Sequence, residues 1–212
     1  MTLDKFLMQS TIAVVGVLIA ATAYAQDSTI SSDQGSEESP TNTPQEQEGF
    51  FKEEIVDVEL FDGEQISGRL CLPTAEAAKI PTLVIFVHGT GPATYLTKRK
   101  IGNKTFNFFD FYANKFCEQG DAFYTYNKRG CINDDKPPLF DEVDRDKFRK
   151  VVPRVEAQDL ANVIDTLKEN ERLVNARVVL FGHSEGTVVA ALVAEKYPEL
   201  SLIHISEPTR PY

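Results

Sequence analysis

Residues 26–49 carry Ser, Thr, Gln, Glu and Pro with almost no apolar side chains. Such a segment cannot offset its ordering entropy by burial, so it is predicted to be a disordered linker. The pattern changes at Phe50. Ile55-Val56-Asp57-Val58-Glu59-Leu60 alternates in part, and Gln65-Ile66-Ser67-Gly68-Arg69-Leu70-Cys71-Leu72 alternates again. Asp62-Gly63 between them is a hairpin signal, and the two runs predict an antiparallel pair at a sheet edge. Thr82 to Val87 is a continuous apolar run of strand length, which suits a parallel strand buried on both faces. Phe106 to Gln119 reads as a helix, with Phe109, Tyr112 and Phe116 on one face and Gly120 as its stop. Ala122 to Tyr126 is a further strand. Residues 131–152 are charged, contain Pro137-Pro138, and read as a surface loop with a short helix as an option. Val155 to Leu167 is an amphipathic helix, because Leu160, Val163, Ile164 and Leu167 fall on one stripe. Arg177 to Phe181 is a strand, and Thr187 to Ala194 a helix. This alternation of strand and helix predicts an α/β fold: a mostly parallel sheet with helices on both faces, preceded by an antiparallel hairpin.

Charge sharpens this picture. The formal net charge is −10 over 212 residues, and six of the acids lie in the segment 26–49, which has no Lys or Arg. The imbalance therefore belongs mostly to a tail. Without a basic patch to match a phosphate backbone, nucleic acid is not expected as a partner.

Residues 1–25 read as a secretory signal peptide. Lys5 sits in a short n-region, Thr11 to Ala21 is the apolar stretch, and Ala23-Tyr24-Ala25 fits a small-x-small cleavage site. The apolar run is shorter than the roughly 18–20 residues of a spanning helix. The expectation is a secreted or periplasmic protein with no stable membrane insertion after cleavage. In an oxidising compartment Cys117 and Cys131 are candidates for a disulfide, with buried free thiols, Cys71 included, as the preferred alternative.

The chemistry concentrates at Gly182-His183-Ser184-Glu185-Gly186. A G-x-S-x-G turn between a β-branched strand and an Ala/Val-rich helix reads as a nucleophile elbow, with the serine hydroxyl raised above the sheet. The plainer alternative is a strand-to-helix turn with a capping serine. No metal site is indicated, since no H-x-x-x-H or C-x-x-C spacing occurs. His88-Gly89-Thr90-Gly91-Pro92 contains G-x-G but lacks the later glycine and the Lys-Ser/Thr of phosphate binders, so no cofactor is expected.

On His88 to Pro92, Asn127-Lys128-Arg129-Gly130 and Gly182 to Gly186, in that order and spacing, residues 50–199 resemble the N-terminal part of the α/β-hydrolase family. The likeness is in particular to its bacterial esterase and serine-aminopeptidase-like branches. The resemblance implies an α/β-hydrolase fold, truncated after the elbow helix, and an acyl-enzyme on Ser184. It implies an oxyanion hole from the backbone N–H groups of Glu185 and Thr90. His88 would then be structural and order the oxyanion loop, with Gly89, Gly182 and Gly186 in supporting positions. Arg129 is either a loop-ordering salt-bridge partner or a solvated charge.

Such a triad places its acid and histidine after the serine, and the only histidine there is His204. Residues 201–212 resemble the in-frame translation of a transposase sequencing adapter. They are accordingly read as a non-native tail, and His204 receives no catalytic role. The expected function is a hydrolase of a small ester or peptide substrate. The alternatives are a hydrolase-like binding module without catalysis and an acyltransferase on the same scaffold.

Overall fold

A computed structural model describes residues 50–74, 79–137 and 140–205. Residues 1–25, read as a signal peptide, residues 26–49, read as an acidic linker, and the chain after residue 205 lie outside the described residues. The order of elements is β1 (Phe51–Glu59), β2 (Gln65–Pro73), β3 (Thr82–Val87), β4 (Lys98–Ile101), β5 (Lys104–Asn107), α1 (Asp110–Glu118), β6 (Ala122–Tyr126), β7 (Cys131–Asn133), β8 (Asp141–Val143), α2 (Arg145–Phe148), α3 (Pro153–Lys168), β9 (Arg177–His183), α4 (Gly186–Ala194) and β10 (Ser201–Ile205).

The main sheet has six strands in the order β1-β2-β6-β3-β9-β10. β1 and β2 form the antiparallel hairpin, turning through Gly63 at φ 82°. β2 is antiparallel to β6, and β6, β3, β9 and β10 run parallel. All six residues of β3 are buried, as a strand covered on both faces should be.

The two-residue period of the strands sorts the core into two faces. Leu83, Ile85 and Val87 of β3, with Val178 and Leu180 of β9, pack under Leu160, Val163, Ile164 and Leu167 of α3 and Val189, Ala190 and Val193 of α4. Val84, Phe86, Val179 and Phe181 point the other way, against Phe109, Ala113 and Cys117 at α1. Each such aliphatic side chain contributes about 1.5–3 kcal/mol when fully buried.

Several elements differ from the sequence reading. α1 begins at Asp110, not Phe106, because Phe106 pairs with Arg99 in a β4–β5 hairpin closed by Gly102 at φ 58°. The stretch 131–152 is more ordered than a loop. β7 and β8 pair, and Asp144 caps α2 by accepting from the Asp146 and Lys147 N–H groups. Ser201–Ile205 forms β10, with Leu202 opposite Leu180 and Ile203 opposite Phe181. In agreement with the preferred reading of the cysteines, all three are buried free thiols, and the Cys117–Cys131 pairing does not form. Cys117 instead directs its thiol at the Cys71 carbonyl, 3.5 Å away. Among the described residues no helix is long and apolar enough to cross a membrane.

Candidate active site

The connection after β3 leads to α1 on one face of the sheet, and the connection after β9 leads to α4 on the other. Neighbouring strands whose connections diverge leave a crevice beyond their carboxyl ends, where ligands bind in open α/β sheets. His88 to Thr90 and His183 to Gly186 meet at that crevice.

Ser184 lies exposed at the turn with φ 52°, in the left-handed region that a residue with a side chain enters at a cost. The turn survives because its surroundings fix it. The Ser184 carbonyl accepts from the Thr187 N–H at 3.0 Å and the Thr187 hydroxyl at 2.7 Å. The flanking glycines are required by contact. A Cβ on Gly186 would stand 2.2 Å from the Val87 carbonyl oxygen, and one on Gly182 would stand 2.9 Å from Thr187 Cα. A Cβ on Gly89 would come within 3.1 Å of Ser184 Cβ, so the backbone after His88 runs directly beside the serine.

The N–H groups of Glu185 and Thr90 are taken by no acceptor among the described residues. Glu185 stands at the start of α4, where the helix dipole favours negative charge.

The histidines do not serve the serine here. His88 is buried, and its Nε2 donates to the Tyr126 carbonyl at 2.7 Å. Burial, with smaller contributions from Lys128 and His183, pushes its pKa down to about 3 against the opposing effect of that carbonyl. His183 stacks on Phe86 with ring centroids 6.4 Å apart. His204 sits on β10 opposite Gly182. Among the described residues none of the three hydrogen-bonds Ser184 Oγ. No cluster of three or more His, Cys, Asp or Glu side chains there could hold a metal ion.

Below the loops lies a charged network that the sequence motifs only hinted at. Arg129 is buried and binds Asp159 through Nε at 3.1 Å and Nη2 at 2.7 Å, and Asp62 through Nη1 at 2.7 Å. The Asp159 hydrogen bond holds the guanidinium pKa above its usual range. Arg129 is therefore the salt-bridge partner and not the solvated charge. Lys128 is buried as well and pairs with Glu156. Burial raises the Glu156 pKa despite that ammonium. Glu156 and Asp159 lie on one face of α3, one turn apart, and receive two successive cations. The available signal was the Lys128-Arg129 pair followed by Glu156-x-x-Asp159 in an amphipathic helix.

The chain matches no family profile and no curated protein sequence. Solved structures do resemble it. The hypothetical protein PA2218 from Pseudomonas aeruginosa superposes with a TM-score of 0.55 at 11% identity, over 82% of this chain and 48% of that one. A protein from Bacteroides ovatus described as a dipeptidyl aminopeptidase IV superposes with a TM-score of 0.51 at 17% identity, over 77% of this chain and 22% of that one. The chain has an α/β-hydrolase fold. A cold-adapted esterase from an Arctic intertidal metagenomic library also aligns, with a TM-score of 0.49 at 18% identity, over 77% of this chain and 64% of that one. The chain thus spans less than two thirds of each of these solved structures. Ser184 lies in the strand-to-helix turn between β9 and α4 of that fold.

Proposed function

We propose that this protein is an exported serine hydrolase that cleaves a small ester or peptide substrate through an acyl-enzyme on Ser184. One observation carries the reading. An exposed serine in a left-handed turn has the backbone of Gly89 running beside it, and the N–H groups of Glu185, next in the chain, and of Thr90, next after Gly89, have no acceptor among the described residues. A carbonyl carbon attacked by Ser184 Oγ would place its developing negative charge within reach of such donors. Removing one donor of this kind typically costs a hydrolase about 10²–10³ in rate. Gly89, Gly182 and Gly186 support the site by allowing strand, loop and helix to approach. His88 supports the loop. A serine hydroxyl needs a base to take its proton, and the reading assigns that base to none of His88, His183 and His204.

The same observation about the histidines favours a second reading, a binding module that keeps the crevice without the chemistry. The two separate in one experiment. The full reading frame is recovered from the source DNA, expressed, and treated with a fluorophosphonate probe and with p-nitrophenyl esters. Labelling and turnover that disappear in Ser184→Ala support the hydrolase. A folded full-length protein that shows neither overturns it and leaves the binding module.

A further inference from the structure

The loop after β3 is fastened to the end of β6 at five points. His88 Nε2 donates to the Tyr126 carbonyl at 2.7 Å, and the Thr125 hydroxyl to the Tyr95 carbonyl at 2.8 Å. The Tyr95 N–H donates to Asn127 Oδ1 at 2.8 Å, and the Lys128 N–H to the Ala93 carbonyl at 3.0 Å. The fifth contact differs in kind. Lys128 Nζ donates to the Gly89 carbonyl at 3.0 Å, from a side chain only 3% exposed.

A buried ammonium is an expensive way to hold a loop, because the cost of taking one ion out of water is several kcal/mol even after relaxation. Glu156 offsets part of that cost, which ties the ammonium to α3 as well. The bond to a neutral carbonyl is charge-assisted and stronger than its four neighbours. Its target explains the expense. The carbonyl of Gly89 and the N–H of Thr90 belong to one planar trans peptide, so they point in opposite directions. Fixing the oxygen toward Lys128 aims the Thr90 N–H away from it. Gly89 has no side chain to resist a flip of this peptide, and Gly91 beyond it sits at φ 97°. Without the ammonium the peptide could turn over and present its oxygen where a donor is needed.

We infer that Lys128, backed by Glu156, is a positioning residue that sets the direction of the Thr90 N–H beside Ser184. The inference rests on the hydrolase reading for its catalytic consequence, but the orientation of the peptide can be read without any substrate.

The test uses the full-length protein with Lys128→Met, which fills similar space without charge, and Glu156→Gln, which keeps the ammonium and weakens its support. With p-nitrophenyl acetate, Lys128→Met should lower kcat by about 10²-fold with KM within about threefold, and Glu156→Gln should lower kcat by a smaller factor. Crystal structures of the two variants read the orientation directly: in Lys128→Met the Gly89–Thr90 peptide should be turned over or split between two orientations, with α3 in place. If wild type neither labels nor turns over ester, the hydrolase reading falls, and the orientation of that peptide in Lys128→Met alone decides the inference. The wild-type orientation kept in Lys128→Met, or unchanged kcat in an active protein, overturns the role of Lys128. If Lys128→Met does not fold, Glu156→Gln decides. A turned or split peptide there sustains the inference, and the wild-type orientation overturns it.

Discussion

Arg129 grips Asp159 with two nitrogens, Nε to Oδ2 at 3.1 Å and Nη2 to Oδ1 at 2.7 Å, and so joins the end of β6 to the first turns of α3. Both groups are buried, so removing one partner strands the other. Asp159→Asn is expected to lower the unfolding free energy by about 3–5 kcal/mol. The double variant Arg129→Met/Asp159→Leu should lose less than that, because no buried charge is left unpaired and Asp62, the remaining partner, is partly exposed. Urea unfolding of the three proteins measures both. A double variant as damaged as the single one would contradict this account.

His88 makes stability depend on pH. Its folded pKa is about 3, against an ordinary value of 6.5. Between those values the unfolded chain binds a proton that the folded chain refuses. The contribution is therefore complete above pH 6.5 and is lost as the pH falls toward 3, by about 4–5 kcal/mol at most. His88→Gln, which can still donate to the Tyr126 carbonyl, should flatten that part of the profile. Urea midpoints from pH 4 to pH 7 give the slope, and equal slopes in the two proteins would exclude His88 as its source.

The strain at Ser184 predicts a gain in stability from a loss of chemistry. Its φ of 52° suits glycine. Ser184→Gly should raise stability by about 1 kcal/mol, or about 2–4 °C in Tm, whereas Ser184→Ala keeps a Cβ and should change it by less than about 0.5 kcal/mol. Equal Tm values for the two variants would mean that the turn carries no strain.

Gly186 and Gly89 provide a graded contrast. A methyl group at 186 meets the Val87 and His88 carbonyl oxygens at 2.2 and 2.6 Å, both backbone atoms that cannot turn aside. At 89 the closest approach is 3.1 Å, which a shift of a few tenths of an ångström relieves. Gly186→Ala should cost at least about 3 kcal/mol and Gly89→Ala about 1 kcal/mol. Thermal unfolding ranks them, and the reverse order would refute the packing described here.

The cysteines should be silent until the protein unfolds. Burial pushes the thiols of Cys71 and Cys117 up to about 11 and 12, and raises that of Cys131. Reactivity follows the thiolate and its access. A chromogenic disulfide reagent should find no thiols in native buffer and three in denaturant. Fast reaction of any one in buffer would show a local opening.

What the sequence disclosed follows from how local each signal is. The hairpin turn at Asp62-Gly63, the buried strand Thr82–Val87, the stripe Leu160-Val163-Ile164-Leu167 and the turn around Ser184 are each contained in a few consecutive residues. The β4–β5 hairpin was missed because Lys98-Arg99-Lys100 is polar where strands are usually apolar, and Phe106 then passed for the start of a helix. The hold of Lys128 on Gly89 was not legible. Its partners lie on a distant loop and on α3, and nothing in the spacing of lysine and glutamate along the chain says that both are buried. Local pattern gave the parts, while the charged supports beneath the site depend on how the sheet brings those parts together.

The central position of β3 has a kinetic consequence. It pairs with β6 on one side and with β9 on the other, and Thr82 meets Arg177 across nearly half the length of the chain. Pairings this distant close late, because the intervening chain must first surrender its freedom. The bed under Ser184 thus waits on β9, whereas the Thr90 loop is fastened to β6, whose pairing with β3 spans far fewer residues. A lesion that delays β9 would delay the turn at Ser184 and leave the hold of β6 on the Thr90 loop in place.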